Sequence, residues 1–455
     1  MENAQNAVKT SEAKKKVIVT SMGNAIEWFD FALYAQLAIY ISHNFFSDVA
    51  NQNQLLFTFG TFAIAFLMRP IGALVFGYIG DKKGRKVVLT TTITIMATST
   101  LILGLLPTSE QIGVWAPILL LIVRMAQSFS TGGEYSGAMT YIVESSPDKK
   151  RGTLTSGLEM GTMIGNALAA IVVALLLYFL NSTQIETWGW RVPFLLAAPF
   201  GIIVVYLRFK LDETPTFKNK QGGSENNILY AFKKYKKEAF LMTIAVIFLN
   251  VNNFMFLTYL PSFLKSNIGI DAQYSTIINA IALILMLPFI FLFGTLSDKY
   301  NNKRIILFGL TSFIFFSIPA FLILDSNHHI WSVFLGVMML AIMLSVFNGV
   351  MPSTLPAITH TNVRMKFLSI IYNLGTAIFG GVTPFILSLL SNLKDGGLAP
   401  AFYLIVINLL GLIAFSIYFK PTSNKPLKGS RPNIDFEEII NIIKIVALLN
   451  RISHV

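Results

Sequence analysis

The chain contains no cysteine. A disulfide framework, a thiol nucleophile and a cysteine-ligated metal are therefore excluded. Histidine is almost as scarce, with five in 455 residues, and none stands at metal-ligand spacing. His328 and His329 sit together in a short loop, but adjacent side chains point apart on most backbones. No metal and no cofactor is expected. Charge is the third shortage: 13% of residues are Asp, Glu, Lys or Arg, against roughly 25% in an ordinary soluble chain.

Apolar residues fill the gap. They make up 54% of the chain, with 38 Phe, and mean hydropathy is +0.63. A water-soluble domain of this composition could not cover its surface with polar groups, so the chain belongs to the membrane class. The first segment is basic at Lys9, Lys14, Lys15 and Lys16. The apolar run that follows is longer than a signal-peptide core and contains acids, and it reads as a retained first helix.

A membrane-spanning helix needs about 20 mainly apolar residues. Twelve stretches qualify: 17–42, 54–80, 87–107, 114–144, 153–180 and 190–210, then 238–264, 273–297, 305–324, 329–356, 367–391 and 398–420. The expected division is an N-terminal segment 1–16, a six-helix bundle 17–210, a polar linker 211–237, a second bundle 238–420 and a tail 421–455. Lys and Arg cluster in the N-terminus, the 81–86, 148–151 and 299–304 loops, the linker and the tail. The opposite loops hold almost none, apart from Lys265, Lys394 and Arg191 at a helix mouth. By the positive-inside rule both termini are cytoplasmic. The net charge of +12 is then a topology signal, and nucleic acid is not expected as a partner.

The halves echo each other. "GYIGDKKGRKVVL" (77–89) follows the second span and "GTLSDKYNNKRIIL" (294–307) follows the eighth. Each sets Gly, Asp, basic residues and an aliphatic run in the equivalent loop, as internal repeats of transporters do. In the tail, "NIDFEEIINIIKIVALLNRI" begins with a cap residue, Asn433 or Asp435, and carries Glu437 and Glu438 in its first turn. Its narrow polar stripe, Glu437, Asn441 and Lys444, reads as an interfacial or packing helix. The e and g charges of a coiled coil are mostly missing.

Five stretches resemble a known family together: "GNAIEWFDFALY", "MRPIGALVFGYIGDKKGRKVVL", "RMAQSFSTGGEYSGAMTYIVESSPDKKRG", "GWRVPFLL" and "LDETPTF". The chain resembles the major facilitator superfamily, in its metabolite:proton symporter branch, and within that branch the proline/betaine transporters most. The resemblance covers all twelve spans. It implies an all-α integral membrane fold of two six-helix bundles, alternating access by rocking of the halves, and proton-coupled uptake of a small solute across the bacterial inner membrane. Osmosensing members carry a longer, charged coiled-coil tail, which this chain lacks. The resemblance also makes Asp81, Arg85 and Lys86 a cytoplasmic gate, with Asp298 and Arg304 as the weaker counterpart. An Asp can meet a helix N-terminus or an arginine there when that side is closed.

An ionised group at mid-bilayer costs at least ~2.5–3.5 kcal/mol. It survives by facing a wet cavity, by pairing, or by taking a proton. Glu27, Asp30, Arg69, Arg124, Glu134 and Glu159 meet that description, all in the first half. Glu27 and Asp30, three apart, share a helix face. Their repulsion favours one proton between them, which suits a proton carrier; pairing with Arg69 or Arg124 for packing is the alternative. Glu134 lies among glycines that allow a close helix crossing. Glu159 stands two places off the stripe Gly157, Gly161 and Gly165, a helix-contact face. Four acids face two arginines, which leaves acid in surplus. Arg124, and less so Arg69, could bind a substrate carboxylate bidentately. The second half offers amides and phenols instead: Asn250, Asn253, Tyr259, Asn348, Tyr372 and Asn373, with Asn252 and Asn279 beside them. Interhelical bonding is their alternative role. The expectation is a proton symporter of a zwitterion such as proline or a betaine. The alternatives are a di- or tricarboxylate symporter, for which surplus arginine is wanted, or a receptor of transporter fold. Without a nucleophile–base pair or a soluble catalytic domain, an enzyme is not expected.

Overall fold

The computed structural model describes residues 7–8, 10–47, 58, 61, 64–65, 67–214, 228–270, 272–325, 330–391 and 396–435. Backbone groups in hydrocarbon must bond within their own segment, so apolar runs of this length become helices. The first half holds α1 (Thr10–Gln36), α2 (Met68–Lys83), α3 (Arg85–Leu105), α4 (Trp115–Ser145), α5 (Arg151–Phe179) and α6 (Val192–Phe209). The second holds α7 (Lys236–Phe254), α8 (Ala272–Tyr300), α9 (Asn302–Asp325), α10 (Ile330–Ile358), α11 (Arg364–Gly375) and α12 (Ala399–Tyr418). Two of these continue through π-helical turns. α7 runs through Met255–Tyr259 into Leu260–Ser266, and α11 through Thr376–Gly380 into Gly381–Ser391.

Among the described residues nine helices are long and apolar enough to cross a membrane by length and composition. α1, α2 and α4 fall short of that measure. The described α2 is short, at 16 residues, and α1 and α4 carry charged residues in their apolar runs; the three together supply five of the six charged residues singled out in the sequence.

Some boundaries differ from the sequence reading. α1 begins at Thr10, inside the basic segment, because lysine is a fair helix former and its stem can lie along an apolar neighbour. The 211–237 stretch contains a short helix, Ile228–Lys234, while 215–227 lie outside the described residues. Also outside them are His328 and His329, Lys394, and the tail from 436 onward with its expected interfacial helix.

Close helix crossings put the acids inside. Gly157, Gly161 and Gly165 of α5 face Val17, Ser21 and Ala25 of α1; a Cβ on Gly161 would lie 2.6 Å from the Ser21 carbonyl oxygen. This backbone-to-backbone contact turns Glu27 and Asp30 away from lipid. The halves meet at the face that carries both termini: α2 against α11, and α5 against α8, where Gly294 packs on Gly152 and Ser156.

Candidate functional site

The first-half charges are all buried, at 1–7% exposure, and they sort into distinct sets. Asp30 accepts from Thr100 Oγ1 (2.9 Å), Gln127 Nε2 (2.9 Å) and Arg124 Nη1 (3.4 Å). Arg124 also donates to Gln127 Oε1 at 2.8 Å and lies 4.1 Å from the Tyr34 ring centroid. Asp30 is thus committed to α3 and α4. Glu27, one turn earlier, faces Arg69, Thr131 and a different carboxylate, Glu134. The carboxyl neighbours in this fold are Glu27 and Glu134, because the i,i+3 side chains on α1 diverge to different partners.

Glu134 brings in an arginine that the sequence reading passed over. Arg208, in the last turn of α6, is fully buried and meets Glu134 Oε1 at 2.6 Å. It also donates to the carbonyls of Leu89 (2.7 Å) and Thr20 (3.1 Å), and its guanidinium nests against Gly23, where no Cβ would fit. Thr92 bonds the other Glu134 oxygen. The balance is therefore four acids against three arginines. A helix-end arginine beside Lys210 reads as a topology signal in sequence, and only the tilt of α6 into the bundle turns it inward.

Glu159 stands apart from the arginine pairs. Thr162 is its hydroxyl neighbour, and Thr162 in turn accepts from Asn24 Nδ2 at 2.6 Å. Across the halves, Tyr372 of α11 comes within electrostatic reach of Glu159, Arg69 and Glu27 and lies against the Tyr135 ring at 4.8 Å. Arg69 sits 5.2 Å from the Phe31 ring centroid. Glu27, Glu159, Arg69, Tyr135 and Tyr372 thus gather where the two halves meet.

In the second half one pair of the singled-out residues bond each other, and the rest bond neighbouring groups. Asn253 and Asn348 exchange amide hydrogen bonds at 3.1 and 3.2 Å. Asn250 accepts from Thr376 Oγ1 at 3.0 Å, and Tyr259 donates to the Leu387 carbonyl at 3.4 Å. Asn373 crosses between the halves to the Gly132 carbonyl at 2.8 Å. Asn252 and Asn408 form a second reciprocal pair, fully buried. Asn250, Asn253 and Tyr259 flank or lie in the π-turn of α7, and Tyr372 and Asn373 precede that of α11. Such turns recur at functional sites.

At the face bearing the termini the mouth is closed. Asp81 accepts from the Lys366 backbone N–H at the start of α11 (3.1 Å) and meets Arg85 at 3.2 Å. Arg85 also pairs with Glu144 (3.1 Å), which in turn meets Arg364 of the second half at 2.6 Å. Glu213 of the "LDETPTF" stretch accepts from the N–H groups of Arg85 and Lys86, and Thr214 donates to Glu144. Lys86 thus joins through its backbone. Asp298 accepts from Gly152 N (2.7 Å), Thr153 N (2.8 Å) and Thr153 Oγ1 (2.8 Å) at the start of α5. Arg304 stands outside this latch. It is exposed, with its N–H bonded to Asn301 Oδ1, because Asn302, two residues earlier, holds the place of Arg85. Glu144 and Arg364 were missed in sequence, where each reads as a loop-flanking charge.

Two bundles of six helices, built on a repeated joint and meeting over a buried polar centre, make a multi-pass membrane transporter. The chain belongs to the Major Facilitator Superfamily, whose family model matches residues 20–367. The proline/betaine transporter of Escherichia coli (strain K12) is 39% identical over 437 residues, 93% of this chain and 87% of that protein. A Staphylococcus aureus (strain COL) protein bearing the same name provisionally is 46% identical over 438 residues, 95% and 94% of the two chains. Among solved structures, the proton:xylose symporter XylE bound to 6-bromo-6-deoxy-D-glucose superimposes with a TM-score of 0.76 at 16% identity, covering 92% of this chain and 98% of that one. The relatives and the fold are those of transporters, not enzymes, and the transporter class implies a small-molecule substrate.

Proposed function

We propose that this protein is a proton-coupled symporter of a small zwitterion of the proline or glycine betaine type, working by alternating access of the 17–210 and 238–420 bundles. The observation that carries the substrate class is similarity across nearly the whole chain to proteins named proline/betaine transporters. The buried charges agree with it. One acid exceeds the arginines, so a net-neutral solute with a co-transported proton suits the site better than a di- or trianion, which would want surplus arginine. In this reading the face with both termini is cytoplasmic, in keeping with its Lys and Arg, and the protein lies in the bacterial inner membrane.

Each residue then has a role. Asp30 with Arg124, and Glu134 with Arg208, are fixed pairs that hold the first bundle in shape. Glu27 and Glu159 are the proton-carrying candidates, because neither is engaged by an arginine at ion-pair distance in the way those two are. Arg69 takes the substrate carboxylate. The rings of Phe31, Tyr135 and Tyr372 take the cationic end, as aromatic faces take quaternary ammonium groups. Asn250, Asn253, Asn348 and Asn373 line the second-half wall and rearrange between states.

Competition in proteoliposomes tests the substrate class. Labelled proline or glycine betaine is expected to accumulate under an imposed pH gradient, with unlabelled citrate or α-ketoglutarate competing poorly. Stronger competition by the carboxylates than by the zwitterions would overturn the reading.

A further inference from the structure

Beyond α12 the chain runs as an extended strap, 419–435, across the closed mouth. Its first part is bound mainly to the second half, with one bond to the first half, from Arg151 Nη1 of α5 to the Lys425 carbonyl (3.1 Å). Asn302 donates to Thr422 Oγ1 (2.7 Å) and accepts from Thr422 N (3.1 Å). Asn424 donates to the Asp298 carbonyl (2.9 Å). The Lys428 carbonyl accepts from both Thr361 N and Thr361 Oγ1 at 3.0 Å.

Its last part is bound to the first half. Asn433 and Asp148 are joined twice, by Asp148 N to the Asn433 carbonyl (2.9 Å) and by Asn433 N to Asp148 Oδ2 (3.2 Å). The Asn433 side-chain amide donates to the carbonyls of Glu144 (3.0 Å) and Ser146 (3.3 Å), where α4 turns toward α5. Asp435, nearly buried, meets Lys150 Nζ at 2.7 Å and accepts from Thr10 Oγ1 at 2.8 Å. The strap also forms a parallel pair, Ala7–Val8 with Ile434–Asp435, so it ties the two termini together.

We propose that residues 419–435 are a clasp: docked, they hold the two halves together over this mouth, and the mouth opens only when the strap lets go of the first half, at 433–435 and at the Lys425 carbonyl. The argument is geometric. A segment covalently continuous with α12 and bonded to α8, α9 and the α10–α11 turn cannot stay on the α4–α5 corner while the halves separate there. The start of the inter-bundle linker, 211–214, differs, because its hydrogen bonds go to α3 and α4 of its own half. The clasp needs only the two-half architecture and is independent of which solute is carried.

The absence of native cysteine makes the test direct. Ser136 Oγ lies 2.7 Å from Ser369 Oγ across the interface, buried in the closed state. Ser136→Cys is therefore a single thiol that a membrane-impermeant maleimide reaches when the mouth opens; Ser369→Cys is the substitute if that variant folds poorly. Labelling is followed from each side of oriented vesicles, without solute. Adding Asn433→Ala, or separately Asp435→Ala, is expected to speed labelling from the terminus-bearing side about three- to tenfold, the equivalent of roughly one net hydrogen bond. Labelling from the other side should not quicken. Unfolding temperature in detergent separates clasp release from general loosening: a fall of the whole transition matched by faster labelling from both sides would count against the clasp. Unchanged labelling in both folded variants would overturn it.

Discussion

The two halves share one joint and fill it with different chemistry. Gly84 (φ 109°) and Asn301 (φ 71°) occupy the same left-handed position after Asp81 and Asp298, a conformation that glycine and asparagine tolerate best. Each Asp then accepts from N–H groups at the start of the fifth helix of the opposite half, Asp81 at α11 and Asp298 at α5. There the likeness ends. In the first half Arg85 continues into the ionic chain with Glu144 and Arg364. In the second, Asn302 continues into Thr354 (3.0 Å) and the strap, with hydroxyls and amides alone. The membrane centre repeats the contrast: Asp30 with Arg124 and Glu134 with Arg208 on one side, Asn252 with Asn408 and Asn253 with Asn348 on the other. Backbone geometry and helix-end dipoles are duplicated, while the acid–arginine pairs of the membrane centre are confined to the first half. The half that would carry the proton holds the acids of the membrane centre, and its partner's centre is held by amide pairs that do not titrate.

The largest expected effect separates the joints. Glu144→Ala leaves Arg85 and Arg364 buried without their shared carboxylate, and breaking a buried pair costs about 3–5 kcal/mol. Asn302→Ala removes only neutral hydrogen bonds and should cost about 1–3 kcal/mol. Thermal unfolding in detergent compares them, and equal losses would erase the distinction between charged and neutral joints. Next comes the membrane centre. Arg208→Ala should be nearly as damaging as Glu144→Ala, with Arg208→Lys recovering part of the loss. Asn252→Leu should cost about 1–3 kcal/mol by leaving Asn408 unsatisfied, and Asn252→Leu with Asn408→Leu should restore most of it. A double variant worse than the single would mean that the amide pair is not simply structural.

The smallest effect lies at the strap. His360 packs 5.0 Å from the Tyr235 ring, and its charged neighbours are Lys428, Glu238, Arg364 and Lys234. Burial first, then Lys428, hold its imidazole below the ordinary histidine value of 6.5. A folded-state value lowered in this way means that stability at this spot is full above pH 6.5 and declines as pH falls through and below it. Labelling of Ser136→Cys, divided at each pH by the rate of a free thiol to remove the loss of thiolate, should therefore quicken slightly on acidifying from pH 7.5 to 5.5, and His360→Gln should remove that part of the response. A pH response that survives His360→Gln undiminished would assign it elsewhere.

Much of this was legible in the sequence. Twelve apolar runs specified the spans, because lipid leaves the backbone no other partner. The Asp81 and Asp298 loops disclosed the repeat, and the glycine stripe of α5 marked a helix-contact face, whose partner, α1, only the fold supplied. Residues whose meaning depends on tertiary direction were not legible. Arg208, Glu144 and Arg364 sit at helix ends, where a charge is ordinarily a topology signal. Glu27 and Asp30 share a helix face yet turn to different neighbours. The strap has no periodicity to betray it, since its bonds are made by backbone carbonyls and short polar side chains.

The claim that the first half carries the proton is tested most directly at Glu27. Glu27→Gln keeps the size and hydrogen-bonding capacity of the side chain but cannot release a proton. Reconstituted beside the parent protein, it should lose uphill uptake driven by a pH gradient and retain exchange of labelled for unlabelled solute, which needs no net proton movement. Loss of exchange together with uptake, in protein that no longer folds, is what a purely structural acid would give. Full proton-driven accumulation by Glu27→Gln would contradict the account and move the coupling site to Glu159.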